Sequence, residues 1–247
     1  MVVTMQKSRT RTDTEPNVRV SARRLLVEHG RHAVTLRAIA RDLGITAPAL
    51  YRYYGSREDL LNRLCDDICG DLADELTEAI AAVPAEAILE RALTACRAFR
   101  RWALAHPTEF ELVFATPDVG HASRGDVGVG TARPEHDRFA RVFLRLVLPL
   151  FTDGRLVLPP VDVPAALLDE LGDYRRAIIE AMAEEGVRVE ENVLPVEALY
   201  LMIDGWTRLH GHVALEAFGQ LSFAFSDAEP LFEAMLTRMV REFGLTG

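Results

Sequence analysis

A single glycine, Gly44, within "TLRAIARDLGITAPALYRYYGSREDLL" (35–61) sets the tightest limit on what this chain folds into. Before it, Leu36, Ile39, Ala40 and Leu43 recur at helical spacing behind a Thr35 N-cap. After it, Thr46 is a second N-cap candidate, and Pro48 falls in a first turn where its missing N–H removes no helical hydrogen bond. Two short helices across a tight turn containing glycine form a helix-turn-helix, whose second helix enters the major groove of DNA.

At 100° per residue, the second helix, expected over 47–53, turns Leu50 and Tyr54 to the inside and Pro48, Ala49 and Arg52 to the outside. Tyr51 and Tyr53 flank the exposed strip. A tyrosine ring packs while its hydroxyl bonds a phosphate, and small Ala47 and Ala49 admit base edges and thymine methyls. Arg57 and the capped helix starts at Thr35 and Ser56 add phosphate sites.

The charge distribution agrees. The whole chain carries −9, which argues against a polyanion partner, but residues 1–64 hold 12 Lys/Arg against 6 Asp/Glu while the remainder holds 16 against 31. A basic head on an acidic body is the footprint of a nucleic-acid-binding module joined to a part with another task.

Elsewhere the apolar period stays helical, and no useful strand alternation appears. A basic arm over 1–16 leads into a helix with Val18, Ala22, Leu25, Leu26 and His29 on one side, stopped by Gly30. Ser56 opens a long helix whose stripe runs from Leu60 to Ile80 and ends before Pro84. Further helices are expected over 85–105, 107–115, 132–151, 164–185, 195–219 and 227–243, with mobile loops at 116–131 and 152–164. The fold class is all-α, with an N-terminal helix-turn-helix domain (17–64) and a larger helical domain (65–247). No apolar run reaches a membrane span and the N-terminus lacks a secretory core, so the expected place is the cytoplasm. Three cysteines, Cys65, Cys69 and Cys96, build no disulfide framework.

The stretch from Thr35 to Leu61 also resembles the signature of the TetR family of bacterial transcriptional repressors: Thr35, Arg37, Ile39-Ala40, Gly44, Leu50-Tyr51, Tyr54, then a small polar, a basic and an acidic residue. It departs in Arg57 where lysine is usual and Tyr54 where phenylalanine is usual. The segment "WTRLHGHVALEAFG" (206–219) is similar to the C-terminal region of one actinobacterial-looking branch. The resemblance implies a homodimer on a palindromic operator, with a C-terminal domain that dimerises and binds a small inducer. It places Arg37, Ala47, Ala49 and Tyr51 near bases and Thr35, Tyr53 and Arg57 on phosphates; Thr46, Pro48 and Arg52 complete the candidate DNA face.

For the inducer, aromatic residues at helical spacing suggest a lining: Phe99, Trp102, Phe110, Phe114, Phe139, Phe143, Tyr174 and Trp206, with His210, Arg97 or Glu111 as polar groups. The same aromatics also suit a plain bundle core, and His210 serves either role. For the dimer, Leu231, Phe232, Met235, Leu236, Met239 and Phe243 form an apolar stripe, and Gly205, Gly211 and Ala214 permit close helix approach.

Other classes fare worse. Cys65 and Cys69, one turn apart, lie on an apolar stripe that suits packing better than a metal or redox site with Cys96. His210 and His212 at i and i+2 face different sides of a helix, and no metal or cofactor is expected. No nucleophile–base pair, phosphate-binding glycine loop or carboxylate pair marks an enzyme. An architectural DNA-binding protein without an effector stays open.

Overall fold

The computed structural model describes residues 11–115, 141–146, 158–184, 186, 189 and 194–245. Among these every regular element is helical. They are α1 (Arg11–His29), a 3-10 turn (Arg31–Ala33), α2 (Leu36–Leu43), α3 (Ala47–Leu50), α4 (Arg57–Ala81), α5 (Ile88–Ala105), α6 (Pro107–Phe114), helical residues 141–146, a 3-10 turn (Ala165–Leu167), α7 (Leu168–Glu184), α8 (Val196–Ala217) and α9 (Glu229–Glu242). None of the helices among the described residues is long and apolar enough to cross a membrane.

The chain divides into two compact units, Met1–Ile68 with Thr108–Gly120, and Cys69–Pro107 with His121–Gly247. In the first, Val18, Ala22 and Leu26 of α1, Leu36 and Ile39 of α2, Leu50 and Tyr54, and Leu60, Leu61 and Leu64 of α4 are all buried, so each short helix is held by its own apolar stripe. Phe110 and Val113 of α6 are buried as well. That grouping of α6 with the N-terminal helices leaves no trace in its local sequence.

Start and stop signals work where side chains make them. Thr35 Oγ1 accepts from Ala38 N–H (3.1 Å) at the start of α2, and Gly44 ends that helix in the left-handed region at φ 65°. Ser56 Oγ accepts from Asp59 N–H (3.1 Å), while the Asp59 carboxylate accepts from Gly55 N–H (3.0 Å), a reciprocal cap at the start of α4. Thr46 occupies the N-cap position of α3, but its hydroxyl makes no cap bond, and α3 closes after one turn at Leu50, with 51–53 continuing as turns. α1 is described from Arg11, inside the segment expected as an arm, and contains Pro16.

In the second unit, α7 and α8 pack through Leu171, Ile178, Met182, Ala198 and Leu199. On α8, Gly205 makes room for α9: a Cβ there would stand 3.0 Å from Phe243 Cζ and 3.1 Å from Met239 Cε. The expected loop at 116–131 lies outside the described residues, as does 152–157.

Candidate functional site

The exposed face of α2 and α3 is built by what their other face buries. Leu50 and Tyr54 are almost wholly buried, as the helical projection requires, and this turns Pro48, Tyr51 and Arg52 outward; Ala47, Ala49 and Tyr53 sit half-buried beside them. Thr35 is half-buried at the cap of α2, and Arg37 and Thr46 are exposed. Arg63 lies over the Tyr54 ring (5.0 Å), and burial pushes the Tyr54 hydroxyl above its ordinary pKa, so this tyrosine is a neutral packing residue.

The arginines of this unit divide into two sets. Arg24 pairs with Asp42 (2.5 Å) and Glu28 (3.1 Å), Arg19 with Asp67 (2.9 Å), Arg63 with Asp59 (3.3 Å), and Arg23 with the buried Glu109 of α6. Arg37 and Arg52 make no ion pair or hydrogen bond to any of the described residues. Both arginines are exposed. The Asp42 carboxylate is held below the ordinary carboxylate range by the Ser21 hydroxyl (2.5 Å), then by Arg24, which fixes α2 to α1 behind the free arginines.

Arg57, expected on a phosphate, donates within the protein. Its Nε donates to Val34 O (2.8 Å) and its Nη2 to Arg31 O (2.7 Å), so two donors of the fork are spent on the turn between α1 and α2. The motif reveals a basic residue at this position; it carries no sign of these two carbonyls.

Of the expected ligand lining, the second unit gathers four members. The Trp206 ring stands 5.6 Å from Phe99, 6.3 Å from Phe143 and 5.3 Å from His210. Trp102, also buried, stacks on His106 (5.3 Å), whose Nδ1 lies 3.0 Å from Trp102 O. Tyr174 on α7 is more than a third exposed. Phe110 and Phe114 pair with each other at 5.1 Å and, with exposed Glu111, belong to the first unit. Helical spacing finds faces, and it does not say which unit a face serves. Phe139 lies outside the described residues. Arg97 is also committed elsewhere, bidentate to Glu233 (2.8 and 2.9 Å) and 3.3 Å from Glu90.

Of the expected dimer stripe, Phe232, Met235 and Leu236 are buried within the protomer, while Leu231, Met239 and Phe243 are half-buried, the last two against Gly205. Sequence periodicity marks an apolar face without telling which of two possible neighbours covers it.

Two buried groups have no motif. Arg100 is bidentate to Glu216 (2.7 and 2.6 Å) and lies over the Phe232 ring (5.3 Å), an ion pair sealed between α5, α8 and α9. His212 rests beside it, 5.3 Å from Phe232, with its buried Nε2 lacking a hydrogen bond and 3.6 Å from Glu216. Cys65 and Cys69 are fully buried, and burial pushes the Cys96 thiol up to about 12, so Cys96 is not poised as a thiolate. No metal-binding group of three or more His, Cys, Asp or Glu occurs among the described residues.

Comparison with known proteins places this geometry. Residues 19–64 match the family model described as bacterial regulatory proteins, tetR family, and residues 92–239 match the tetracyclin repressor-like C-terminal domain. The chain is 28% identical over 231 residues to the HTH-type transcriptional regulators Rv1816 of Mycobacterium tuberculosis and Mb1846 of Mycobacterium bovis, covering 93% of this chain and 92% of each relative. Among solved structures, the regulatory protein SCO4313 superposes with a TM-score of 0.64 at 26% identity, over 93% of this chain and 96% of that one. A protein from Rhodococcus sp. RHA1 shares the fold, with a TM-score of 0.59 at 18% identity over 92% and 94% of the two chains. Matched in both its helix-turn-helix and its C-terminal domain, the chain belongs to the TetR family and is a DNA-binding transcriptional regulator.

Proposed function

We propose that the chain acts in the cytoplasm as a repressor, bound as a homodimer to a palindromic operator and released from it by a small hydrophobic ligand. The observation that carries this reading is the exposed strip of α2 and α3, where Arg37 and Arg52 stand without partners among the described residues and Tyr51 is 54% exposed. In this reading Arg37, Ala47, Ala49 and Tyr51 face base edges and Thr35 and Tyr53 face phosphates, while Thr46, Pro48 and Arg52 border the same groove.

The dimer face lies on the outward side of α8 and the turn after it. Ile203, Leu215 and Phe218 are exposed there, followed by Phe223 at 89% and Phe225 at 45%. Apolar side chains left in water over one continuous stretch suit an isologous contact with a second copy.

The inducer's place is beside Phe99, Phe143, Trp206 and His210, where one polar ring meets three apolar ones. That mixture supports an effector-controlled regulator over an architectural DNA-binding protein, which needs no such cluster. A ligand that prefers the DNA-incompetent arrangement by about 1 to 3 kcal/mol lowers operator affinity roughly 5- to 150-fold.

Duplexes selected from a random library by the purified protein test the reading. They are expected to converge on a palindrome with half-site centres about 34–36 Å apart, or a multiple of that. Thermal-shift screening of hydrophobic metabolites and antibiotics, followed by operator-release assays on the selected duplex, then tests the effector. Convergence on a site without two-fold symmetry rejects the dimeric docking; ligands that stabilise the protein yet never release DNA reject the inducer mechanism.

A further inference from the structure

Arg57 stands in a motif position where a cation is expected to hold phosphate, yet its guanidinium is turned inward. The Nε and Nη2 donors reach the carbonyls of Val34 (2.8 Å) and Arg31 (2.7 Å). Those carbonyls belong to the segment that links α1 to α2, and each has a structural place. Arg31 O also accepts from Val34 N–H (3.2 Å), closing the 3-10 turn, and Val34 is fully buried immediately before the Thr35 cap. The other end of the contact is equally fixed, because Arg57 is the first residue of α4 and follows the reciprocal Ser56–Asp59 cap. One side chain therefore joins the start of α4 to the start of α2.

We propose that Arg57 is a positioning residue for sequence readout: by tying the Arg31–Val34 turn to the start of α4, it sets the entry of α2, and with it Arg37 and the α3 strip, into the groove. The inference rests on the operator-docking reading above and replaces a phosphate contact for this residue with an internal one. Chemistry favours arginine for the task. Its two bonds leave from different nitrogens of one rigid plane, and lysine, with a single nitrogen on a flexible stem, does not reproduce that fork. The acceptors are neutral carbonyls, so the bonds lock geometry without cancelling the charge. A small rotation of α2 is enough to move a base-reading side chain out of bidentate reach, while diffuse attraction to phosphates tolerates it.

The test uses the full chain with Arg57→Lys, Arg57→Ala and Arg37→Ala. Affinities are measured for the duplex selected by the wild-type protein and for a scrambled duplex of equal length, across a salt series, below the melting temperature of every variant. Positioning predicts that Arg57→Lys and Arg57→Ala both lose about tenfold or more in the ratio of specific to scrambled affinity, with scrambled affinity and the salt slope staying at wild-type values in the lysine variant, which keeps the charge. Lysine then rescues nothing, and amide hydrogen exchange at Ala38 and Ile39 in α2 speeds up in the lysine variant, a readout that stands even where the alanine variant does not fold. The proposal is overturned by the pattern of a phosphate contact, in which alanine weakens both duplexes alike and lowers the slope by about one while lysine restores both. It is overturned equally by a lowered melting temperature with an unchanged ratio, the mark of a fold-only role. Arg37→Ala separates the two readings: a lost preference there with intact Arg57 variants removes the clamp alone, and an unchanged preference removes the docking itself.

Discussion

Arg37 and Arg52 are both exposed and of one residue type, but their places predict different failures. Arg37 lies in the first turn of α2, proposed above to face base edges, so Arg37→Ala is expected to relax preference at one position by about 1–3 kcal/mol of discrimination. Arg52 follows α3 at the strip's edge. Its alanine variant should weaken all duplexes alike and lower the salt slope by about one. Repeating the library selection with each variant, together with a salt titration, checks both. Acid sensitivity also has a residue-level origin in His212. Desolvation holds its pKa below the ordinary histidine value; Glu216 opposes that, and Arg100 adds to it. Because the folded value is depressed, the imidazole is neutral in the native state and binds its proton more readily once unfolded. Stability from this site is present above the ordinary histidine range and is lost as pH falls through it. His212→Phe should flatten that part of the stability-against-pH curve, as read by urea unfolding at stepped pH; a curve as steep as the wild type's assigns the loss to another group.

At the scale of the element, the turn between α2 and α3 rests on one backbone conformation. Gly44 sits at φ 65°, and a Cβ built there meets nothing within 4 Å, so the expected cost of Gly44→Ala is conformational and not steric: about 1–2 kcal/mol, with Gly44→Asn costing less. Chemical denaturation of the three proteins checks that order. Elements of this kind were legible in the sequence. Caps at Thr35 and Ser56, the stop at Gly44 and the stripe through Leu50 and Tyr54 are local signals, decided within four residues, and among the described residues beyond α4 helix ends fell within a few positions of those observed, whereas α1 reaches further back than expected. Long-range partners were not legible. The bonds of Arg57 to Arg31 and Val34, the pairing of Arg23 with Glu109 across 86 positions and that of Arg100 with Glu216 across 116 depend on how helices pack, and a period of 3.6 records only which face is turned inward. The same limit applies to Phe232 and Leu236, whose apolar face was recognised and which are buried in the protomer.

For the whole molecule, the proposed dimer face and the stripe of α9 separate experimentally. Leu215 and Phe218 are exposed in the protomer, whereas Leu236 is buried in it. Leu215→Arg with Phe218→Glu should therefore yield folded monomers that bind the selected palindrome far more weakly, with an unchanged circular dichroism spectrum. Leu236→Arg should lose the fold before it loses the partner, since an unpaired charge placed in a packed core costs several kcal/mol. Sedimentation velocity on both variants checks the contrast, and a Leu236→Arg protein that is fully helical and monomeric would return the interface to α9. Charge acts at this scale as well: the net excess of basic residues over 1–64 and of acidic residues beyond them gives the chain a polarity that salt should blunt, slowing its association with DNA as ionic strength rises.

The aromatic cluster carries one more consequence, an optical one. The chain has two tryptophans, Trp102 and Trp206, and both lie in the second unit; the first, with Tyr51, Tyr53 and Tyr54, has none. Light absorbed selectively by indole is thus blind to the helix-turn-helix. Emission excited in that way follows the surroundings of Trp206, with Phe99, Phe143 and His210, and of Trp102, with His106, while helicity from circular dichroism follows both units, so the two signals recorded on one sample during denaturation distinguish a protein that melts as a single body from one that comes apart in stages.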